Sequence, residues 1–117
     1  MRYILMANLD GSMREPLGSE EQATLTKRYV EFTQVLRDSG VLVDTQLLQR
    51  EDTATTVRVR DGQALVTDGP FADITETLGG FWVVEAPDLD VALGYAKECP
   101  AAEVGSVEVR GVVDLPL

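Results

Sequence analysis

The stretch that decides the fold is Gly80-Phe81-Trp82-Val83-Val84-Glu85-Ala86-Pro87-Asp88, an apolar run followed at once by a helix-start signal. Four consecutive large apolar residues predict a central strand, over residues 80–86, that is buried on both faces. Asp88 is a suitable N-cap, because its carboxylate can accept hydrogen bonds from the first free N–H groups of a helix. Apolar residues then follow at helical spacing until Pro100 ends the pattern: Leu89, Ala92, Leu93 and Ala96.

The N-terminal third of the chain repeats this strand-then-helix arrangement. Residues 3–7 predict a short buried strand, and residues 8–18 predict a polar loop. A helix is predicted from about residue 20 to 39, with Gly40 as its C-terminal stop. Its inward stripe has intervals of four, three and four residues: Leu25, Tyr29, Phe32 and Leu36.

Between the two strand–helix units lies a predicted β-hairpin. Residues 55–60 alternate apolar and polar side chains, and Asp61-Gly62 follows directly, which is a strong signal for a tight turn. Residues 64–67 form the predicted return strand. Further strands are predicted at residues 41–48 and 104–113.

This order, β-α-β, hairpin, β-α-β, predicts one α+β domain over residues 1–117. We expect a ferredoxin-like sandwich with both helices on one face of a mainly antiparallel sheet. The other face needs a cover, since the strands at residues 3–7 and 81–84 are apolar on both sides. A second copy of the chain is the economical cover, so a homodimer is predicted, with Arg58 lining a cleft between the two sheets.

The composition excludes several classes of function. A formal charge of −10 over 117 residues disfavours nucleic acids and anionic membrane surfaces as partners. Histidine is absent, which removes Ser–His and Cys–His nucleophile pairs and most catalytic zinc sites. A single cysteine, Cys99, predicts a cytoplasmic protein without disulfides, and we expect no leader, membrane span, metal or cofactor.

Several segments together resemble the DGPF-type proteins of the YCII-related family. They run through the chain in the order expected for that family: Ala54–Arg58, Val66–Ala72, Leu78–Phe81, Asp88–Ala92, Cys99–Ala102 and Gly105–Arg110. The resemblance implies a dimeric α+β barrel. It also implies relatives that act as metal-independent isomerases, dehydrochlorinases and monooxygenases, and others that accompany extracytoplasmic-function sigma factors.

Two departures from the family pattern limit what the resemblance implies about chemistry. Better-described relatives use a His–Asp pair, and this chain has no histidine. The acidic-Thr-Lys-Glu run that follows the family motif reads Asp73-Ile74-Thr75-Glu76 here, so its lysine is missing. A mechanism that needs that lysine is therefore excluded.

Asp68 is the candidate catalytic residue, as a general base or polar anchor whose acidity Arg58 tunes. The alternative is that Asp68 only caps the following turn, because Asp-Gly-Pro is a turn sequence wherever it occurs. Arg58 either binds a ligand carboxylate or forms a structural ion pair with Asp68, Glu85 or Glu108.

Phe71, Glu76 and Trp82 complete the predicted ligand-binding set. The acidic loop that contains Asp68, Asp73 and Glu76 does not match a calcium-loop pattern, so it is interpreted as solvated. Two functions remain open. One is a small-ligand binder, or a cofactor-independent isomerase or lyase; the other is a regulatory accessory protein of a sigma factor.

Overall fold

The computed structural model describes residues 1–10, 20–71 and 76–117. Within those residues, the strands are β1 (Arg2–Asp10), β2 (Leu42–Leu47), β3 (Thr55–Arg60), β4 (Gln63–Asp68), β5 (Glu76–Glu85) and β6 (Ser106–Gly111). The helices are α1 (Glu20–Asp38), α2 (Leu89–Glu98) and α3 (Ala101–Val104), with a 3-10 turn at Glu51–Thr53.

Four strands form the main sheet, in the order β2-β5-β1-β6, and every neighbouring pair is antiparallel. With α1 between β1 and β2, and α2 between β5 and β6, this is the predicted ferredoxin-like arrangement. The strands β3 and β4 pair only with each other, as a separate two-stranded sheet. The hairpin is thus inserted between the two halves of the fold without joining the main sheet.

The end of α1 and the start of α2 are formed as the sequence predicts. Gly40 has φ +75°, and the Gly40 and Val41 amides donate to the carbonyls of Arg37 and Leu36, which closes α1 with a Schellman motif. The Asp88 carboxylate accepts from the Val91 amide at 3.0 Å and caps α2. No helix among the described residues combines the length and the apolar character needed to cross a membrane.

The hydrophobic core lies between the helices and one face of the main sheet. Alternate residues of β1 are buried on that face, and their partners Val84 and Trp82 on β5 are buried with them. From α1 and the C-terminal helices come the other buried residues: Tyr29, Phe32, Leu36, Ala92, Ala96, Cys99 and Ala101. The core therefore uses only one of the two sheet faces.

The second face of the main sheet carries an apolar centre with no helix over it. Ile4 and Met6 of β1 lie opposite Val83 and Phe81 of β5, and all four side chains are half-buried. The prediction that these strands are apolar on both sides is confirmed.

Some predicted boundaries are wrong. Residues 8–10 were predicted as loop but continue β1, and β5 begins at Glu76 instead of Gly80. Both extensions lie beyond a register shift at Ala7/Asn8, where the ladder resumes with Asn8 opposite Leu78. The short helix α3 was not predicted, and Leu89 is exposed instead of facing the core. The rest of the predicted 8–18 loop lies outside the described residues.

Replacing glycine by alanine tests how closely the elements approach one another. A Cβ on Gly105 would collide with the Asn8 carbonyl oxygen, whereas a Cβ on Gly94, in α2, would meet open space. We expect Gly105→Ala to lower the free energy of unfolding by about 1–3 kcal/mol through overpacking. Gly94→Ala should raise it by about 0.8 kcal/mol, since alanine is the better helix former.

Urea denaturation of both variants measures the two effects on one scale. If the two variants had the same free energy of unfolding, the close contact between Gly105 and β1 would be contradicted.

Candidate functional site

A cavity of about 570 Å³ lies between α1 and the end of the sheet where β2 and β5 meet. Its position follows from the sizes of the helix-facing side chains along β1 and β5. Ala7 and Gly80 lie opposite each other there, between the larger pairs Leu5–Trp82 and Leu9–Thr77. Because Ala7 is small, room remains beside it between helix and sheet, whereas the space over Gly80 is taken by Leu47, itself a lining residue.

Residues of α1, the sheet, α3 and the segment after β2 line this cavity. The lining residues are Ala7, Leu9, Gln22, Leu25, Thr26, Tyr29, Leu47, Leu48, Gln49, Arg50, Thr53, Gly79, Gly80, Trp82 and Val104. Most of this wall is apolar, and the polar groups are a few amides, hydroxyls and one guanidinium. That combination is typical of a small-molecule site.

An aromatic cluster holds one wall of the cavity in place. The rings of Tyr29 and Trp82 are stacked, 5.9 Å apart at 22°, and Phe32 meets Trp82 edge-on at 5.2 Å. The Trp82 Nε1–H donates to Thr33 Oγ1 at 2.9 Å, and the Thr33 hydroxyl donates to the Tyr29 carbonyl. Trp82 is fully buried, so it supports Tyr29 from inside the core.

The segment Leu48–Thr53 forms the rim of the cavity and carries its cation. Arg50 Nε lies 3.5 Å from Asp52 Oδ2, and both side chains are largely exposed. An exposed pair of this kind contributes little to stability. The rim therefore offers a guanidinium whose charge is partly balanced by its neighbour.

A second, more open cavity of about 600 Å³ lies on the other side of this segment, between the root of the hairpin and the start of β5. Thr77 lines it and is only 8% exposed. Within the described residues, the Thr77 hydroxyl has no hydrogen-bond partner. Leu48, Gln49, Arg50 and Thr53 border both cavities.

The predicted pair of Arg58 and Asp68 is not brought together. In the hairpin register Arg58 lies opposite Leu65 and Asp68 lies opposite Thr55, so the two side chains point to opposite faces of the ribbon. The Arg58 guanidinium instead donates to the Phe71 carbonyl at 2.8 Å. The expectation that Arg58 lines the face of the main sheet is also wrong, because β3 belongs to the separate hairpin.

Asp68 is exposed, and among the described residues its carboxylate forms neither a turn cap nor an ion pair. The turn after it is held by other groups: the Gly69 amide donates to the Ala54 carbonyl, and Thr56 Oγ1 donates to the Gly69 carbonyl. Gly69 has φ +97°, a conformation that favours glycine. The catalytic role of Asp68 stays a prediction.

The other three predicted ligand-binding residues lie in different places. Phe71 is exposed at the root of the hairpin and borders the second cavity. Glu76 begins β5, and its carboxylate accepts from Ser106 Oγ at 3.0 Å. Trp82 lines the first cavity. Asp68 and Glu76 line neither cavity, so the structure does not bring the three residues together in one site.

Sequence reasoning missed Arg50 as a site residue and gave Tyr29 only a core role. The usable signal was the pair of small residues, Ala7 and Gly80, at the centre of strands otherwise rich in large side chains. The strand register needed to place them opposite each other was not available from the sequence pattern.

Cys99 is fully buried, and burial raises the pKa of its thiol to about 11. The thiolate is the reactive form, so this side chain is inert at neutral pH. The described residues contain no group of three His, Cys, Asp or Glu side chains that could hold a metal ion. Asp73 of the predicted acidic loop lies outside them.

Comparisons with known proteins agree with this fold. A family model described as the YCII-related domain matches residues 1–116. An uncharacterized protein of Rhizobium meliloti (strain 1021) is 30% identical over 112 residues, which span 94% of this chain and 90% of that protein.

A solved structure of 5-chloro-2-hydroxyhydroquinone dehydrochlorinase from Burkholderia phenoliruptrix AC1100, in complex with 2,5-dihydroxybenzoquinone, matches with a TM-score of 0.52 at 12% identity. The match covers 97% of this chain and 94% of the dehydrochlorinase. Such a likeness concerns the fold alone, and it confirms the predicted α+β fold class with its ferredoxin-like sandwich.

Because Trp82 donates a hydrogen bond to Thr33, we expect Thr33→Val to destabilise the protein. Valine keeps the shape of threonine but leaves the buried Trp82 N–H without its acceptor, which costs about 1–3 kcal/mol of unfolding free energy. Thr24→Val is the matched control, because Thr24 also donates to the carbonyl four residues earlier but is exposed. Urea denaturation should show a change within about 0.5 kcal/mol for the control. Equal losses would contradict the Trp82–Thr33 bond.

Substitution by alanine should affect stability at Asp88 but not at Asp68. Asp88→Ala removes a helix cap and should cost about 1 kcal/mol. Asp68→Ala removes an exposed group with no partner among the described residues, so we expect a change within about 0.5 kcal/mol. Thermal unfolding of both variants checks this. A loss at Asp68 as large as at Asp88 would show that its carboxylate caps the turn after all.

Proposed function

Because the chain belongs to the YCII-related family, we propose that it is a homodimeric protein that binds a small organic molecule in the cavity beneath α1. The observation that carries the proposal is the cavity itself. Its volume of about 570 Å³ falls within the usual range of small-molecule sites, and a few polar groups are set into largely apolar walls.

The lining residues favour a ring-sized ligand with one or two polar substituents. Tyr29 and Leu25 offer apolar contact area, while Gln22, Gln49 and Arg50 offer hydrogen-bonding groups. Since Arg50 lies near Asp52, the rim suits a neutral or singly anionic molecule better than a multiply charged one. The dehydrochlorinase of the same fold is complexed with 2,5-dihydroxybenzoquinone, a molecule with a single ring of this size.

Binding is proposed here, and a reaction stays a prediction. Isomerisation or elimination without a cofactor needs a base that removes a proton from the substrate. The described lining residues include no carboxylate, imidazole, amine or thiol that could serve as that base. The predicted catalytic carboxylate, Asp68, is not among them.

The homodimer covers the apolar face of the main sheet. Ile4, Met6, Phe81 and Val83 are half-buried there without a helix above them, and a second sheet packed on this face would remove them from water. The cytoplasmic location and the alternative role beside a sigma factor stay predictions from the sequence.

The protein carries its own reporter of ligand binding, because Trp82 is its single tryptophan and supports the cavity wall. We expect the indole N–H signal of Trp82 in a ¹⁵N-labelled sample to shift on titration with 2,5-dihydroxybenzoquinone or with monocyclic phenols and benzoic acids. Thr26→Phe narrows the cavity and should weaken binding about tenfold, a loss of about 1.4 kcal/mol.

Thr24→Phe is the matched control for this titration. Thr24 is exposed on the same helix and does not line the cavity, so binding should stay within about twofold of wild type. No shift with any of these probes would overturn the proposal. So would a shift that Thr26→Phe leaves unchanged, since the probe would then bind elsewhere.

A further inference from the structure

We propose that the β3–β4 hairpin is an arm that packs on a second copy of this chain through an apolar strip formed by Val57, Val59 and Val66. The inference rests on the homodimer of the proposed function and goes beyond it. The sheet-to-sheet contact concerns the main sheet, whereas the arm is a separate element with its own interface.

The strip is built by the register of the hairpin. Val57 lies opposite Val66, and Val59 lies opposite Ala64, so these side chains share one face of the ribbon. In the single chain Val57 is 63% exposed, Val59 is 61% exposed and Val66 is 64% exposed. Contiguous valines exposed to this degree on one face mark an interaction surface.

The ribbon itself is incomplete in a single chain. A lone two-stranded hairpin is marginally stable in water and needs a further layer to pack on. Every residue of β4 is exposed, on both faces of the ribbon. Hydrogen bonds fasten the root, where Gly69 and Phe71 meet Ala54, Thr56 and Arg58, but they do not cover the valines nearer the tip.

The shape of the molecule prevents the arm from covering its own sheet. The chain measures 46 × 43 × 19 Å, and 19 Å is accounted for by one layer of helices on one sheet. The arm therefore extends sideways and does not form a third layer over Ile4, Met6, Phe81 and Val83. The valine strip and the apolar sheet face are left for the same occupant.

The exposed area fits a second copy as that occupant. The chain exposes 7954 Å², whereas a compact monomer of this mass exposes about 6,300 Å². The excess of about 1,700 Å² is more than the roughly 800 Å² that each partner buries in a stable dimer.

The charge of the arm also favours a second copy. The whole chain carries −10, so two copies repel each other over most of their surfaces. Residues 55–68 contain two arginines and two aspartates and have no net charge. Both arginines lie on the other face of the ribbon, and the paired residues of the valine face include a single charged side chain, Asp68. The valine face therefore approaches another copy with little charge repulsion.

The test compares two pairs of valine-to-lysine substitutions by sedimentation over a range of micromolar concentrations. Val57→Lys with Val66→Lys places two charges in the strip, and Val30→Lys with Val35→Lys does the same on exposed positions of α1. We expect wild type and the α1 variant to form dimers, and the arm variant to raise the dimer dissociation constant about tenfold or more.

A dissociation constant of the arm variant within twofold of wild type would overturn the arm while leaving the dimer intact. Wild type at the 12.8 kDa mass of one chain throughout would overturn both. Because these valines are already exposed, lysine does not threaten the fold, and the Trp82 indole signal checks this. The same signal shows whether the arm variant still binds cavity probes, so failure of the ligand proposal is seen separately.

Hydrogen exchange of the wild type gives a second measurement. The amides of β3 and β4 should become more protected as the protein is concentrated and the dimer forms. Protection of these amides that does not change with dimer formation would contradict the proposal.

Discussion

The rest of the structure depends on one constraint, a sheet that is apolar at its centre on both faces but has helices on only one of them. In this protein the central strands β1 and β5 carry large apolar side chains on both faces. The helix side is a complete core around Trp82 and Leu5, both fully buried. The far side stops at half-burial, and the proposals of a dimer and of an arm rest on that imbalance.

The cavity has a different origin, because it results from incomplete packing between α1 and the sheet. Ala7 leaves a gap between larger neighbours, and the aromatic cluster of Tyr29 and Phe32 on α1 with Trp82 on β5 forms a firm wall beside it. Tyr29 is fixed by Trp82 and, through the Thr33 hydroxyl, by a hydrogen bond within the core. A wall held by stacking and hydrogen bonding is rigid, and a rigid apolar wall is a good surface for a small ring.

Most of the fold could be predicted because it depends on local signals. The helix stripe from Leu25 to Leu36, the Gly40 stop, the Asp88 cap and the Asp61-Gly62 turn each act within a few residues. The candidate site could not be predicted in the same way. It depends on which residues of β1 and β5 lie opposite each other, and on Arg50, which lies in an irregular segment with no periodic pattern. Asp68 and Arg58 drew attention by residue type, but the alternation of the hairpin separates them.

The turn at Asp61-Gly62 lies at the far end of the arm, away from α1 and the aromatic wall. In the proposed dimer, substitutions near this tip act on the pairing of two copies and leave the pocket unchanged. Pairing preference and ligand preference are then set by separate parts of one chain, and either can be altered without the other.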